Sequence, residues 1–181
     1  MIPIFDSLTH PTCDGSWVTP DRNASFLDLA NAMEENAFAG ACAVGLPGVG
    51  NYDHAHYASL CSKYPSMHPI AGISLQGLSV EEELSRIKDL GYHGIKLHSK
   101  FSQFDLKRDE NILIQILNTC HTKGLVVFLC TYMANKLGEM TEWDPYRQLI
   151  SILKKANNAR VVLIHGGLYR LFEYADLVRF N

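Results

Sequence analysis

Six short apolar runs, each followed by a segment of helical character, set the tightest limit on how this chain can fold. The runs are Ile2–Ser7, Gly40–Val44, Pro69–Ser74, Gly94–His98, Leu125–Cys130 and Arg160–His165. Helices are predicted over Asn23–Asn36 and Tyr52–Tyr64, from Ser79 to Gly91, before Gly124, from Asp144 to about Ala156, and over Tyr169–Arg179. One strand and one helix together take roughly 30 residues, the length of a βαβ unit. Strands that are apolar throughout fit a parallel sheet covered by helices.

The helices carry their own signals. Phe26, Leu29, Ala30, Met33 and Ala37 recur at helical spacing. Ser79 with Glu82 reads as a capping box, and Glu81–Glu83 complement the helix dipole. Gly91 and Gly124 stand where helices end, and Asp144–Pro145 reads as a cap with a first-turn proline.

Two α/β architectures fit the alternation: a doubly wound open sheet, or a (β/α)8 TIM barrel with six of its units in this chain. The first lacks a glycine-rich phosphate turn after strand one. The second explains why polar residues stand at several strand ends, and it is the expected fold. Residues 1–181 are read as a single barrel domain without its last two βα units. Strands one and six then present open edges. Either the natural protein continues by roughly 60 to 100 residues, or a partner chain covers the edge, as in a homo-oligomer.

Composition narrows the function. Hydrophobic residues make up 47% of the chain and the net charge is −3, with acids and bases interspersed. The absence of a basic stripe argues against nucleic acid as a partner. No apolar run approaches 18 residues, so no membrane span is expected. Five scattered cysteines without a C-x-x-C pair suit reduced thiols and a cytoplasmic location.

The polar strand ends are the candidate site. On strand four, Lys96 and His98 share one face while Ile95 and Leu97 share the other. On strand five, Val126, Phe128 and Cys130 share a face. On strand six, Val161, Leu163 and His165 do, followed by Gly166–Gly167. On strand one, Ile4, Asp6, Leu8 and His10 align if the strand stays extended. His54-Ala-His56 matches H-x-H as text, but it falls in a helix, where i and i+2 do not face each other, and is read as surface. The loop Asp14–Arg22, with Trp17, is read as a covering loop.

The stretch Gly94-Ile95-Lys96-Leu97-His98, the His165-Gly166-Gly167 strand end and the order of the units between them resemble the amidohydrolase-2 family of metal-dependent barrel hydrolases and decarboxylases. The resemblance implies a divalent, zinc-type metal at the barrel mouth and a small-molecule amide, lactone or carboxylate substrate. It implies His10, Cys130 and His165 as metal ligands, His165 as the catalytic residue, and Lys96 and His98 as substrate-binding residues. The chain departs from the pattern at Leu8, where the family's strand-one His-x-His has its first histidine, and at Cys130, where the family has a histidine. The family's strand-eight Asp has no counterpart. A non-catalytic barrel that binds a ligand at its mouth is therefore the alternative.

Overall fold

A computed structural model describes residues 3–19, 21–131, 145–156, 158–165 and 175. Six strands form one sheet in sequence order: β1 (Ile4–Thr9), β2 (Phe38–Val44), β3 (Met67–Gly72), β4 (Gly94–Leu97), β5 (Val126–Cys130) and β6 (Val161–Ile164). Every adjacent pair is parallel. Five helices connect them: α1 (Phe26–Glu35), α2 (His54–Cys61), α3 (Val80–Asp89), α4 (Glu110–Lys123) and α5 (Pro145–Lys155). The arrangement is six consecutive units of a TIM-type barrel, curled but not closed, as the sequence predicts. The cap expected at Asp144 lies outside the described residues, as does the helix expected over Tyr169–Arg179 apart from Ala175, which is helical.

The pleat divides the strand residues between two cores. Ala41, Ala43, Ala71, Ile95, Leu97, Val127 and Leu129 face the helices, where they meet Phe26, Met33, Tyr57, Leu84, Ile87, Leu113, Ile116, Leu149 and Ile152. The concave face carries a smaller cluster of Val44, Ile70, Phe128 and Ile164, with Leu8, Cys42 and Val126 packed against it. Small residues on the convex faces of β2 and β3 let helices approach the sheet. Gly94 is required for a related reason: a Cβ there would lie 2.3 Å from the Val126 carbonyl oxygen of the neighbouring strand.

Local signals held unevenly. Gly124 closes α4 in the left-handed conformation at φ 69°, which glycine adopts without strain. The capping box at Ser79 does not form, since the Ser79 side chain makes no cap hydrogen bond. Ser25 caps α1 instead, with its hydroxyl accepting the Asp28 N–H at 3.1 Å and donating to the Asp28 carboxylate at 2.6 Å. Among the described residues, no helix is long and apolar enough to cross a membrane.

β1 departs from simple alternation. Asp6 pairs with Ala41 and Thr9 with Ala43, so three steps on β1 match two on β2. The bulge breaks the expected common face of Ile4, Asp6, Leu8 and His10. The Asp6 carboxylate turns back to accept the Leu8 N–H at 3.0 Å. Leu8 reaches the concave cluster, and the chain then leaves the sheet at His10.

Candidate active site

Lys96 sits in β4 opposite Phe128 of β5, and only 2% of it is exposed. A buried ammonium needs a partner. Its Nζ donates to Nε2 of His10 at 3.1 Å. His10, one residue past β1, donates Nδ1–H to the Val44 carbonyl at the end of β2, at 2.8 Å. The carbonyl can only accept, so the His10 proton is on Nδ1 and its lone pair points at Lys96. The Trp17 ring stacks on His10, with centroids 5.8 Å apart and planes 24° from parallel. Burial, and then the Lys96 charge, push the His10 pKa down to about 4. Burial lowers Lys96 to about 8, against an opposing pull from the Cys130 sulfur.

His98, Cys130 and His165 converge at the ends of β4, β5 and β6. One potential ligand atom from each lies within 4.8 Å of the other two. Cys130 is fully buried, His98 half-buried and His165 exposed. Burial, then the charge of Lys96, lower His98 to about 4; the same two causes lower His165. Burial and the Lys96 charge thus both disfavour the protonated forms of His10, His98 and His165.

His165 reaches this cluster by a route that alternation does not predict. Val161 and Leu163 pack into the outer, helix-facing core, and Ile164 faces the concave side with Cys130 as its register partner. Strict alternation would send His165 outward with Leu163. Instead its backbone takes a left-handed conformation at φ 71°, which swings the ring back to the mouth. That conformation costs a non-glycine residue roughly 1–2 kcal/mol, and such strain gathers at functional positions.

The structure groups the predicted residues differently from the expected ligand set. Cys130 and His165 come together with His98, which was expected to face substrate. His10, expected as a ligand, has its free nitrogen engaged by Lys96. Two imidazoles and a thiol are a zinc-type donor set. The fit requires one exchange. His98 Nδ1 accepts the Lys100 N–H at 3.2 Å, so in the neutral ring the proton is on Nε2. Ligation through either nitrogen gives up that bond, a loss of about 1 kcal/mol, small beside a thiolate–zinc bond.

Sequence reasoning missed the groups that orient these side chains. The buried Ser102 hydroxyl accepts the His98 N–H at 2.9 Å, and the Ser102 N–H donates to the His98 carbonyl at 2.7 Å. Thr131 binds the carbonyl just before His165. A serine four residues after a strand-end histidine, and a threonine next to Cys130, were the available signals.

A cleft of about 640 Å³ opens away from this cluster, between the loops that follow β2 and β3. His54 lies on it and is not a surface residue: it is 8% exposed and donates Nε2–H to the Gly72 carbonyl at 3.0 Å. Its Nδ1 lies 2.7 Å from Arg86 Nη2 and 3.0 Å from Glu83 Oε1. His56 is exposed, so the two histidines do not form a ligand pair. None of His10, Lys96, His98, Cys130 and His165 lines this cleft. It is lined by exposed groups such as Gln76, Gly77 and Glu82 beside the buried His54 and Gly72, whereas at the mouth His10, Lys96 and His98 come together with perturbed ionisation, the pattern of functional sites.

No family model and no curated relative matches the sequence. Solved structures do. A protein provisionally named 2-pyrone-4,6-dicarboxylic acid hydrolase from Acinetobacter baumannii, with citric acid bound, superposes with a TM-score of 0.62 at 18% identity, over 98% of this chain and 66% of its own. A protein given the same provisional name, from Pseudomonas putida, also scores 0.62, at 16% identity over 100% and 66%. An apo structure from Agrobacterium tumefaciens scores 0.54 at 10% identity, over 98% and 74%. At these identities the likeness is one of fold alone. The chain spans about two thirds of the length of the first two.

Proposed function

We propose that this chain carries the site of a metal-assisted hydrolase acting on a small carboxylated lactone, ester or amide, with a zinc ion held by His98, Cys130 and His165. The convergence of these three side chains at the C-terminal ends of three adjacent parallel strands carries the reading, because that end of a TIM barrel is where active sites form. The hydrolase names of the two barrels of like fold support the reaction class. The citric acid in one of them supports a carboxylated substrate.

The chain's own residues supply the setting. When bound, zinc supplies Lewis acidity and lowers the pKa of water. Lys96 adds a positive charge beside the cluster and favours anionic substrates. Trp17 and His10 form an aromatic wall on the β1 side. His165 is the most exposed of the three proposed ligands and would present the metal to substrate.

One observation favours a ligand-binding barrel without turnover. Leu8 joins the apolar concave cluster where the resemblance implies an imidazole. The test is hydrolysis of a panel of small carboxylated lactones and esters by zinc-loaded protein. The hydrolase reading expects turnover that disappears in Cys130→Ala and His98→Ala with the fold intact. Saturable binding of the same compounds without turnover supports the ligand-binding reading instead.

A further inference from the structure

We propose that the cleft between the loops after β2 and β3 is a second binding site, built for a small zwitterion of the amino-acid type. Its volume of about 640 Å³ is that of a ligand pocket, within the roughly 300–1,000 Å³ that such pockets span. None of the mouth residues lines it, so the inference stands apart from the zinc reading above.

Both charges come from one helix. Ser79 and Glu82 have the spacing of a capping box, yet the Ser79 hydroxyl makes no cap bond. Among the described residues, the exposed Glu82 carboxylate has no hydrogen bond and no ion pair, although Arg86 stands one turn further along α3. Arg86 is committed to Glu83 instead. Its Nε donates to Oε2 at 3.0 Å and its Nη2 to Oε1 at 3.1 Å. Nη2 also donates to Nδ1 of the buried His54 at 2.7 Å, and His54 is anchored through Nε2–H to the Gly72 carbonyl. The guanidinium is thus held from two sides, and among the described residues its Nη1 has no acceptor. Glu82 and Arg86 line the same cleft, and residues four apart on a helix lie about 5–6 Å apart at Cβ. That is a separation a small molecule with two charges can span.

The rest of the cleft narrows the ligand class. An anion alone would meet the Asp53 and Glu82 carboxylates, and a cation alone would meet Arg86. A ligand with a carboxylate for Nη1 of Arg86 and an ammonium for Glu82 satisfies both, through charge-assisted hydrogen bonds. Pro47 and Leu78 offer apolar contact to the carbon chain between them. The β3 wall is fixed in place, because the Leu75 N–H donates to the Ser102 carbonyl of the next loop at 3.1 Å.

Calorimetric titration of the metal-free protein with glycine, β-alanine and γ-aminobutyrate tests this, since the three carry the same two charges at increasing separation. Acetate and methylamine, with one charge each, are the controls. At least one zwitterion should bind saturably at millimolar concentration or below, and neither control should match it. Amide NMR shifts on binding should centre on Gly77–Glu82 and not on His98. Glu82→Gln and Arg86→Gln should each weaken binding by about tenfold or more. Glu82 is exposed and unpaired, so Glu82→Gln keeps the fold and decides the matter if Arg86→Gln does not fold. No saturable binding of any of the three, equal binding of acetate or methylamine, shifts centred on the mouth, or undiminished binding in Glu82→Gln overturns the inference.

Discussion

Thr131 donates both its backbone N–H and its hydroxyl to the carbonyl of Ile164, at 3.0 and 2.6 Å. That carbonyl belongs to the last residue of β6, immediately before the left-handed turn at His165. The two bonds lock the end of β6 to the end of β5 and fix where the His165 ring emerges. Thr131→Val removes the hydroxyl and keeps the shape. It should lower stability by about 1 kcal/mol in urea unfolding, and weaken zinc binding, because the His165 anchor loosens. Unchanged zinc affinity at that loss of stability would confine Thr131 to a structural role.

His165 carries backbone strain on an exposed side chain. His165→Gly relieves the left-handed penalty but adds freedom to the unfolded chain. The net expected change is a gain of up to about 1 kcal/mol, with zinc binding lost. Thermal unfolding of the metal-free protein and a zinc titration check the two halves separately. A clear loss of stability on substitution would mean that the histidine ring is held for packing.

The neutral histidines at the mouth make stability depend on pH. His10 and His98 have folded values of about 4, against an ordinary 6.5. Between pH 6.5 and 4 the unfolded chain holds protons there that the folded chain does not. Stability therefore falls as pH drops through that window and levels off below it. For His10 alone the loss between pH 7 and 5 is at most about 2 kcal/mol. Urea unfolding of the metal-free protein at both pH values should show a smaller difference in His10→Gln. An NMR titration placing the His10 ring above pKa 6 would contradict the burial and Lys96 contact that hold it neutral.

Two thiols should be inert. Cys61 and Cys120 are buried, and burial pushes both up to about 12. Ellman's reagent at pH 8 should leave them unmodified until denaturant is added. Rapid labelling of either in the folded protein would mean that the helix-facing core opens readily.

The alternation of apolar strands and amphipathic helices was enough to read six parallel units, because strand and helix periods are local properties of the chain. The site was legible as a set of residues and less so as a set of partners. Lys96, His98 and Cys130 lie on or at the end of unbroken strands, so period-two alternation placed them at the mouth. β1 and the end of β6 broke the rule. A bulge near Leu8 and a left-handed turn at His165 are single-residue backbone events, and neither leaves a periodic trace. The pairing of Lys96 with His10 joins residues 86 positions apart, and only the curl of the sheet brings them together. His54 was misjudged for a similar reason. The helix that carries it reads as weakly amphipathic, while its burial comes from Gly72 and from Glu83 and Arg86 on the next unit.

The central claim is that a thiolate and two imidazoles at the mouth hold one metal ion. It is tested most directly by titrating the metal-free protein with Co²⁺ and recording the near-ultraviolet sulfur-to-metal charge-transfer band. The account predicts a band that saturates at one equivalent, disappears in Cys130→Ser, weakens strongly in His98→Ala and His165→Ala, and survives in Cys42→Ser. No band in the unaltered protein, or a band that persists in Cys130→Ser, would contradict it.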